Sequence, residues 1–581
     1  MNRQADIPRP EHPNPQWERS SFHNLNGEWE FEIDNGESGE ARKLYEAPHL
    51  SGRITVPFCP ESILSGVGNT DFMRAVWYKR TLTFSEEELA GNRVLLHFGA
   101  ADYATRIWVG GKRVGETHYG GYTPFSYDIT DALSEGDNDL TVLCSDDTRS
   151  PLQPSGKQSE AYHSYGCFYT RTTGVWQTVY YELVPENYLK RARFYPDAEN
   201  ATLTLTAELV GRGDISATVF YEGKCVGRAE KKNVATTAAL EVRLSERHLW
   251  ELGCGRLYDV VLRFGQDEVK SYFGLRDVAL CGRKFLLNGK SVFQRLVLDQ
   301  GFYADGIYTA PTEEALVRDI RCAMDAGFNG ARLHEKVFEP RYLYHADRLG
   351  FMVWGEYPSW GYDHSDIGKL HAYLPEWLDS VARDFNHPSV IGWCPFNETW
   401  DVGAQKKRVD PLLLRIIYEE TKRCDPTRPC IDTSGNFHAV TDIYDVHDYM
   451  QDPVAFRARY DEAYLSGTVE ENHHCVGRQS WDGKQPLFVS EYGGIGFSLD
   501  EEGNAWSYGQ AALTLEEFYE RYRGLTHALL DNPCIMGFCY TQLTNVEQEQ
   551  NGLYTYADRT PKFDISVIAE INRKPAAIEE E

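Results

Sequence analysis

The sequence lacks the features of an exported or membrane-bound protein. No apolar run approaches the roughly 20 residues that a membrane-spanning helix needs. The stretch from Met1 to Trp17 is polar and contains prolines, without the basic start and apolar core of an export signal. The 13 cysteines form no Cys-x-x-Cys pair, and their odd number is typical of reduced thiols rather than a disulfide framework. These absences predict a cytoplasmic protein that does not associate with membranes.

Positive charge is also scarce. The 59 Lys and Arg residues are outnumbered by 87 Asp and Glu residues, which gives a net charge of −28 without any basic cluster. Such a surface repels phosphate backbones, so we expect no nucleic-acid partner. Aromatic residues, in contrast, make up 13% of the chain. Aromatic rings stack on sugar faces but also fill β-sandwich cores, so their abundance favours carbohydrate binding only weakly.

The first half of the 581-residue chain is rich in β-strand patterns, and a chain of this length is expected to form several domains. Residues 1–186 alternate short β-rich runs with glycine-containing turns, as at Gly27–Ile33 and Arg93–Phe98. This pattern predicts an antiparallel β-sandwich. Residues 187–277 repeat it at a smaller scale, which fits an immunoglobulin-like β-sandwich.

From residue 278 to residue 581, short apolar strands alternate with helical segments. This pattern predicts a parallel sheet with crossover helices, and eight such units fit a (β/α)8 TIM barrel. The predicted strands are Val292–Val297, Gly330–His334, Met352–Glu356, Val390–Glu398, Cys430–Ser434, Asp445–Tyr449, Leu487–Glu491 and Ile535–Tyr540. The clearest predicted helices are Glu313–Ala326, Pro340–Leu349, Pro375–Phe385, Pro411–Arg423 and Leu515–Leu530. The long segment 450–486 is a candidate active-site loop.

Two glutamates end barrel strands that should face one another. Asn397 and Glu398 follow the apolar part of the fourth strand, and Glu491 ends the seventh. Strands four and seven lie nearly opposite in a barrel of eight, so both carboxyl groups should face the pocket at the C-terminal mouth. Retaining glycoside hydrolysis requires two carboxyl groups about 5 Å apart, one as nucleophile and one as proton donor. A single glutamate could be a surface residue, but two on opposite strands indicate a catalytic pair.

Other polar and aromatic residues also lie at predicted strand ends or in the loops above them. An Arg near the nucleophile would keep it ionised, and a Tyr or His could donate to it. Tryptophans in these loops could stack on sugars. Each of these residues could instead have a purely structural role. The candidates are Arg332, His334, Glu356, His447, Tyr449, Tyr540, Trp360, Trp400 and Trp481.

These motifs resemble glycoside hydrolase family 2, the family of β-galactosidases, β-glucuronidases and β-mannosidases, over nearly the whole chain. The motifs that carry the resemblance are Gly120–Phe125 (GGYTPF), Ala331–His334 (ARLH), Phe396–Glu398 (FNE), Ser490–Gly493 (SEYG) and Asn551–Lys562 (NGLYTYADRTPK). The resemblance implies a jelly-roll first domain with a sugar-binding-like fold, an immunoglobulin-like second domain and a catalytic barrel. It implies Glu398 as acid/base, Glu491 as nucleophile, Asn397 as partner of the sugar 2-hydroxyl, and Arg332 and His447 in the surrounding shell.

Three departures from the family pattern bear on specificity. The stretch Glu356–Gly361 lacks the acidic residue and His that help to hold magnesium in one type of β-galactosidase, so no metal site is expected. Glu549–Leu553 lacks the Lys of the Asn-x-Lys element with which glucuronidases recognise a sugar carboxylate, which favours a neutral sugar. The loop His163–Trp176 lacks the family's Asp, so Arg171 or Tyr169 would take its place in the pocket.

We therefore expect a retaining exo-β-glycosidase that removes a terminal neutral sugar, galactose-like as a first hypothesis, through a covalent glycosyl-enzyme. Neither chemical step needs a cofactor. The alternatives are a β-glucuronidase, a pentosidase or furanosidase of the same family, or a carbohydrate-binding protein without catalysis. The partner is a glycoside or oligosaccharide, and the resemblance implies self-association as a homo-oligomer.

Overall fold

The computed structural model describes residues 7–399, 409–435, 438–460, 481, 483–497 and 505–579. Within these ranges the chain forms two successive β-sheet regions and then a region of alternating strands and helices. Each region has its own buried apolar core. No helix in this part of the chain is long and apolar enough to cross a bilayer.

The first region contains two antiparallel sheets whose inward side chains share one core, because alternate residues of each strand face the opposite sheet. The six-stranded sheet has the order Gly52–Val56, Gly27–Ile33, Ala75–Phe84, Gly136–Ser145, Ala104–Val109 and Lys112–Tyr119. The four-stranded sheet has the order Phe22–Asn24, Val179–Pro185, Asn92–Phe98 and Phe125–Asp128. Smaller elements are the strand pair Ala101–Asp102 and Gly174–Val175, the helix Glu86–Leu89 and the 3-10 turns Leu44–Glu46 and Thr130–Ala132.

The second region is built around two long paired strands, Thr202–Tyr221 and Lys224–Arg243. Along the first of these, Leu203, Leu205 and Leu209 are buried while their neighbours are more exposed, which is the alternation of a strand with one apolar face. The remaining strands are Tyr188–Asp197, Tyr258–Phe264 and Asp267–Phe273. A small antiparallel sheet of Val278–Cys281, Lys284–Leu287 and Lys290–Ser291 leads into the third region.

The third region is a parallel barrel. Seven of its described strands lie in the order Val390–Cys394, Met352–Glu356, Gly330–Leu333, Gln294–Asp299, Ile535–Thr541, Leu487–Gly493 and Tyr444–Asp448. The predicted fifth strand, Cys430–Ser434, joins the fourth strand through single bridges of Cys430 to Trp393 and of Ser434 to Asn397. On its other side, the His447 amide of the sixth strand donates to the Gly435 carbonyl at 3.0 Å. It is not a regular strand, because the Asp432 side chain accepts a hydrogen bond from the Thr433 N–H and so competes with the ladder. The fourth strand ends at Cys394 because Pro395 has no N–H to donate.

The described helices of this region are Glu313–Asp325, Pro340–Leu349, Leu370–Asp384, Pro411–Cys424, Pro453–Ala458, Leu515–Leu530 and Ile565–Asn572, with 3-10 turns at Ile367–Lys369 and Ala577–Glu579. One helix begins earlier than the sequence predicts. Proline favours the first turn of a helix, so Pro375 suggested the start. Instead, Asp366 caps the turn Ile367–Lys369, which continues directly into the helix at Leu370.

Buried contacts join the first region to the barrel and so determine one wall of the pocket. The Thr309 hydroxyl donates to the Trp176 carbonyl at 2.5 Å, and the rings of Tyr122 and Tyr308 lie 6.0 Å apart between centroids. Residues 153–173 of the first region, which we call the bridging loop, reach the barrel mouth. The amide groups of Ser155 and Gly156 donate to the Trp360 carbonyl at 2.9 and 3.0 Å.

Candidate active site

Glu398 and Glu491 lie at the C-terminal ends of the fourth and seventh barrel strands. Glu491 belongs to the regular strand Leu487–Gly493. Glu398 follows the point where the fourth strand ends, and its φ of 47° is a left-handed conformation that a non-glycine residue rarely adopts. Its N–H donates to the Ser434 carbonyl at 2.8 Å, so the irregular fifth strand holds the Glu398 backbone in place.

The two carboxyl groups lie close together. One oxygen of Glu398, one oxygen of Glu491 and one ring nitrogen of His447 all lie within 4.8 Å of one another. Carboxyl groups about 5–5.5 Å apart are typical of retaining glycosidases, whereas inverting enzymes separate them by about 6.5–9.5 Å to leave room for water. The separation therefore fits direct attack by one carboxylate on the sugar.

Glu491 is almost completely buried and is surrounded by donors. Arg332 Nη1 donates to its Oε1 at 3.0 Å, His447 Nε2 lies 3.4 Å from the same oxygen, and the Tyr449 hydroxyl donates to Oε2. Burial by itself would raise the pKa of Glu491. The charges of His447, His334 and Arg332 outweigh burial and lower the pKa to about 2. Glu491 is therefore ionised throughout the neutral range, as a nucleophile must be.

Glu398 has a more open environment. Its side chain is 14% exposed, compared with 3% for Glu491. His447 Nδ1 lies 2.7 Å from Glu398 Oε1, so this imidazole bridges the two acids. Burial would lower the pKa of His447, but the carboxylates of Glu491 and Glu398 raise it overall. The two acidic side chains thus favour the cationic form of the bridging ring.

A buried network positions Arg332 beneath the acids. Its Nε donates to Glu356 Oε1 at 2.5 Å, and Glu356 Oε2 lies 3.0 Å from His334 Nδ1. Arg332 Nη2 also donates to Asn397 Oδ1 at 3.2 Å, which fixes the side chain that precedes Glu398. The structure thus brings together Arg332, His334, Asn397, His447 and Tyr449 around the two glutamates.

Trp360 lies next to the acids in the loop after the third strand. Its Nε1 donates to the Asn397 carbonyl at 3.1 Å, and the Lys157 ammonium lies 4.0 Å from the centre of its ring. No sequence pattern indicated Lys157, because it lies in a polar loop of the first region. Glu549 was also not predicted as a site residue. It accepts a hydrogen bond from the Tyr169 hydroxyl. Of the two bridging-loop residues proposed to replace the family's Asp, Tyr169 therefore contacts a side chain of the barrel mouth.

Two other candidates, Arg171 and Tyr540, lie elsewhere. The Arg171 guanidinium donates to carbonyls of Ser159, Ala161 and Thr70, so its contacts shape the bridging loop. The Tyr540 ring packs 5.6 Å from Tyr492 and 4.8 Å from Tyr522, on the helix side of the strand. Its neighbour Thr541 faces the pocket instead and lies 3.1 Å from the Tyr449 hydroxyl, because side chains alternate along a strand.

Trp481 precedes the N-terminal end of the seventh strand, opposite the acids. Its ring lies 5.3 Å from Arg283, a residue of the small sheet that leads into the barrel, and its Nε1 donates to the Gln485 carbonyl. Trp400 lies outside the described residues, and so does most of the segment 450–486, of which 450–460, 481 and 483–486 are described. Their predicted roles in the site stay predictions.

The Glu398, His447 and Glu491 atoms are close enough to hold a divalent cation. The donors around them fit a metal poorly, however. Glu491 Oε1 already accepts from Arg332, and Oε2 already accepts from Tyr449. A cation at this position would lie beside the Arg332 guanidinium and beside the His447 ring, whose pKa is raised by the acids, so like-charge repulsion would oppose its binding. The cationic groups replace a metal in neutralising the buried carboxylate.

Comparison with known proteins identifies two family matches. Residues 66–151 match the description "Glycosyl hydrolases family 2, sugar binding domain", and residues 278–570 match "Glycosyl hydrolases family 2, TIM barrel domain". Most of the curated proteins that are similar to this chain are named β-glucuronidase. The β-glucuronidase of Streptococcus agalactiae is 23% identical over 563 residues, covering 89% of this chain and 88% of that protein.

A β-galactosidase of Thermoanaerobacterium thermosulfurigenes is 25% identical over 461 residues, covering 74% of this chain and 60% of that protein. Among solved structures, a Lactobacillus rhamnosus β-glucuronidase superposes with a TM-score of 0.78 at 19% identity, covering 97% of this chain and 98% of that one. At this identity the superposition shows that the two proteins share a fold.

Proposed function

Because the chain belongs to glycoside hydrolase family 2 and is a glycoside hydrolase, we propose that it acts as a retaining exo-β-glycosidase through Glu398 and Glu491. The observation that carries this proposal is the approach of the two glutamate oxygens and the bridging His447 nitrogen to within 4.8 Å of one another. That separation suits a double displacement with a covalent glycosyl-enzyme.

In the first step Glu491 attacks the anomeric carbon while Glu398 protonates the leaving oxygen. The low pKa of Glu491, about 2, supports its role as the ionised partner. In the second step Glu398 removes a proton from water, which attacks the anomeric carbon and releases Glu491. Asn397, held by Arg332, is proposed to bind the sugar 2-hydroxyl, and Trp360 and Tyr449 to line the same pocket.

For the sugar, the relatives support the β-glucuronidase alternative better than the galactose-like first hypothesis. Most of the similar curated proteins are named β-glucuronidase, while β-galactosidases are fewer. We therefore propose β-glucuronides as the preferred substrates, in place of a neutral sugar. A pentoside or furanoside specificity, or carbohydrate binding without catalysis, has no observation in its favour.

The finer domain assignment is part of the same proposal. We assign residues 1–186 to a jelly-roll domain of sugar-binding type, 187–277 to an immunoglobulin-like sandwich and 278–581 to the catalytic barrel. The shared cores of the antiparallel sheets support the first two assignments. A cytoplasmic location and assembly into a homo-oligomer remain proposals from the sequence.

The test is hydrolysis of p-nitrophenyl β-glycosides of glucuronate, galacturonate, glucose, galactose, mannose and arabinose by the wild type, Glu398→Gln and Glu491→Gln. We expect the wild type to cleave a β-glycoside with retention, observed by NMR as a first-formed β-anomer. In each variant, kcat should fall by about 10⁴-fold or more. Near-normal turnover by Glu491→Gln would refute the assignment of the nucleophile.

A further inference from the structure

Among the described residues, the Lys157 ammonium has no partner of opposite charge. The residue is only 4% exposed, and the described residues provide neither a hydrogen bond to its Nζ nor a carboxylate oxygen within ion-pair distance. Its contact is the face of Trp360, 4.0 Å from the ring centre. Burial of a cation is unfavourable unless hydrogen bonds or an opposite charge compensate for it. Lys157 is therefore an exception that calls for a functional explanation.

Other buried lysines of the chain are compensated. Lys79 forms an ion pair of 2.9 Å with Asp139. Lys336 donates to the carbonyls of Gly301 and Tyr308, the second at 2.8 Å. Lys157 differs because it lies at the barrel mouth, where a bound ligand can supply the opposite charge that the described residues do not.

The protein holds Lys157 firmly in this position. The preceding residues, Ser155 and Gly156, donate through their amides to the Trp360 carbonyl. The following residue, Gln158, donates from Nε2 to Asp102 at 2.8 Å and accepts from the Thr172 amide at 2.8 Å. The backbone on both sides of the lysine is thus anchored, one side to the barrel and the other to the buried interior of the first region. Such pre-organisation is typical of a binding residue.

The surroundings keep Lys157 charged. Burial would lower the pKa of Lys157, but the nearby Cys167, Glu549 and Glu491 raise it overall. Glu549 does not pair with the ammonium directly, because its oxygens accept from the Tyr169 hydroxyl and from Asn551 Nδ2. The geometry places the cation near the acids, because Lys157 lies over the Trp360 ring and Trp360 Nε1 donates to the carbonyl of Asn397, the residue before Glu398.

We propose that Lys157 binds the carboxylate of a β-linked hexuronic acid whose anomeric carbon is attacked by Glu491, and so determines uronide specificity. This inference rests on the proposed glycosidase function. The Asn-x-Lys element is missing from Glu549–Leu553, and the cation that replaces it comes from the bridging loop of the first region. A lysine matches a uronate carboxylate because a charge-assisted hydrogen bond is stronger than a neutral one. The same lysine would gain much less from the CH₂OH group of a neutral hexose.

The experiment compares Lys157→Met and Lys157→Arg with the wild type. The substrates are the p-nitrophenyl β-glycosides of glucuronate and galacturonate and of their neutral counterparts, glucose and galactose. We expect Lys157→Met to lower the uronide-to-neutral ratio of kcat/KM by about 10- to 100-fold, the value of one charge-assisted hydrogen bond. Lys157→Arg should restore part of this ratio. Lys190→Met, which removes an exposed lysine, is the control and should leave the ratio unchanged.

Binding is measured separately as the rise in Tm that sodium D-glucuronate causes, with D-glucose as the neutral comparison. Glucuronate should raise the Tm of the wild type, and Lys157→Met should lose this rise. Without ligand, Lys157→Met should melt at the wild-type Tm, because the substitution breaks no hydrogen bond or ion pair among the described residues. An unchanged ratio of kcat/KM together with an unchanged glucuronate increment in Lys157→Met would overturn the proposal.

The failure of this inference can be distinguished from the failure of the proposed function. If the wild type cleaves neutral β-glycosides but no uronide, the Lys157 proposal is wrong and the retaining mechanism stands. If it cleaves no β-glycoside at all, the proposed function is wrong. In that case, the rise in Tm that glucuronate causes in the wild type and in Lys157→Met decides by itself whether Lys157 binds the carboxylate.

Discussion

Glu398 and Glu491 have identical side chains but different surroundings, which support the different roles that we propose for them. Glu491 is buried against Arg332, His447 and Tyr449, which stabilise its charge. Glu398 is more exposed and contacts His447 on one side. A retaining mechanism needs one carboxylate that stays ionised and one carboxyl group that exchanges protons with the leaving group and with water. The contacts of the two residues thus fit the two roles that we propose for them.

Tyr449→Phe tests the donor to the nucleophile. The substitution removes the hydroxyl that donates to Glu491 Oε2 and keeps the ring, which stacks on Tyr508 with centroids 3.4 Å apart. We expect kcat for the best p-nitrophenyl glycoside to fall by about 10- to 100-fold, because one hydrogen bond to a charged group is lost. Tyr540→Phe is the matched control and should stay within about twofold of wild type. Equal losses in both variants would contradict the assignment.

At the scale of elements, the bridging loop decides the shape of the pocket. It belongs to the first region, yet it forms hydrogen bonds with the barrel. The amides of Ser155 and Gly156 donate to the Trp360 carbonyl, and the Tyr169 hydroxyl donates to Glu549. Two of its glycines, Gly156 and Gly166, have φ values of 57° and 52°. The two glycines differ in the free space around them. A Cβ on Gly156 would lie 2.5 Å from the Glu335 carbonyl oxygen, whereas a Cβ on Gly166 would meet nothing within 4 Å.

Gly156→Ala should therefore displace the loop, and Gly166→Ala should not. Both substitutions place alanine at a left-handed φ, which costs about 1 kcal/mol in stability. Only Gly156→Ala adds a clash with backbone of the barrel, so we expect a larger drop in Tm and a higher KM. Circular-dichroism melting and steady-state kinetics on the preferred substrate provide the two measurements. Indistinguishable KM values for the two variants would show that the close approach does not position the loop.

At the scale of the whole molecule, Arg19 joins the first two regions. Its Nη1 donates to Glu182 at 2.8 Å and its Nε donates to Asp267 at 2.9 Å, with all three side chains buried. Burial alone would raise the pKa of Glu182, but the contacts with His97 and Arg19 lower it to about 2. Breaking one partner of a buried ion pair is strongly destabilising, because the other charge stays buried.

Glu182→Gln should lower the free energy of the first unfolding transition by about 2 kcal/mol at neutral pH. The folded-state pKa of Glu182 lies below its ordinary value of 4.5, so its contribution is fully present above pH 4.5. The contribution is lost as the pH falls from 4.5 towards 2, and the two proteins should converge there. Urea unfolding across this range measures the difference. Glu208→Gln, which breaks the exposed pair with Arg191, should change little at any pH.

Much of the architecture could be predicted because local patterns encode it. Apolar strands alternating with amphipathic helices indicated the barrel, and polar residues after the apolar runs indicated Glu398 and Glu491. The direction of a side chain was harder to predict. Tyr540 and Thr541 are adjacent at the end of the last strand, and only the register of that strand in the barrel decides that Thr541 faces the pocket. Trp481 similarly lies at the opposite end of the barrel from the acids.

The sequence by itself determined the family and the barrel and predicted the two glutamates as a catalytic pair, because these depend on periodicity and on motifs whose residues are neighbours in the chain. Only the tertiary structure decided which side chains complete the pocket. Tyr169 and Glu549 are 380 residues apart, and Lys157 reaches Trp360 from another region of the molecule. No local pattern encodes such contacts, because they arise from the packing of one folded region against another. The absent Asn-x-Lys element argued for a neutral sugar, whereas the folded pocket contains a lysine from elsewhere in the chain.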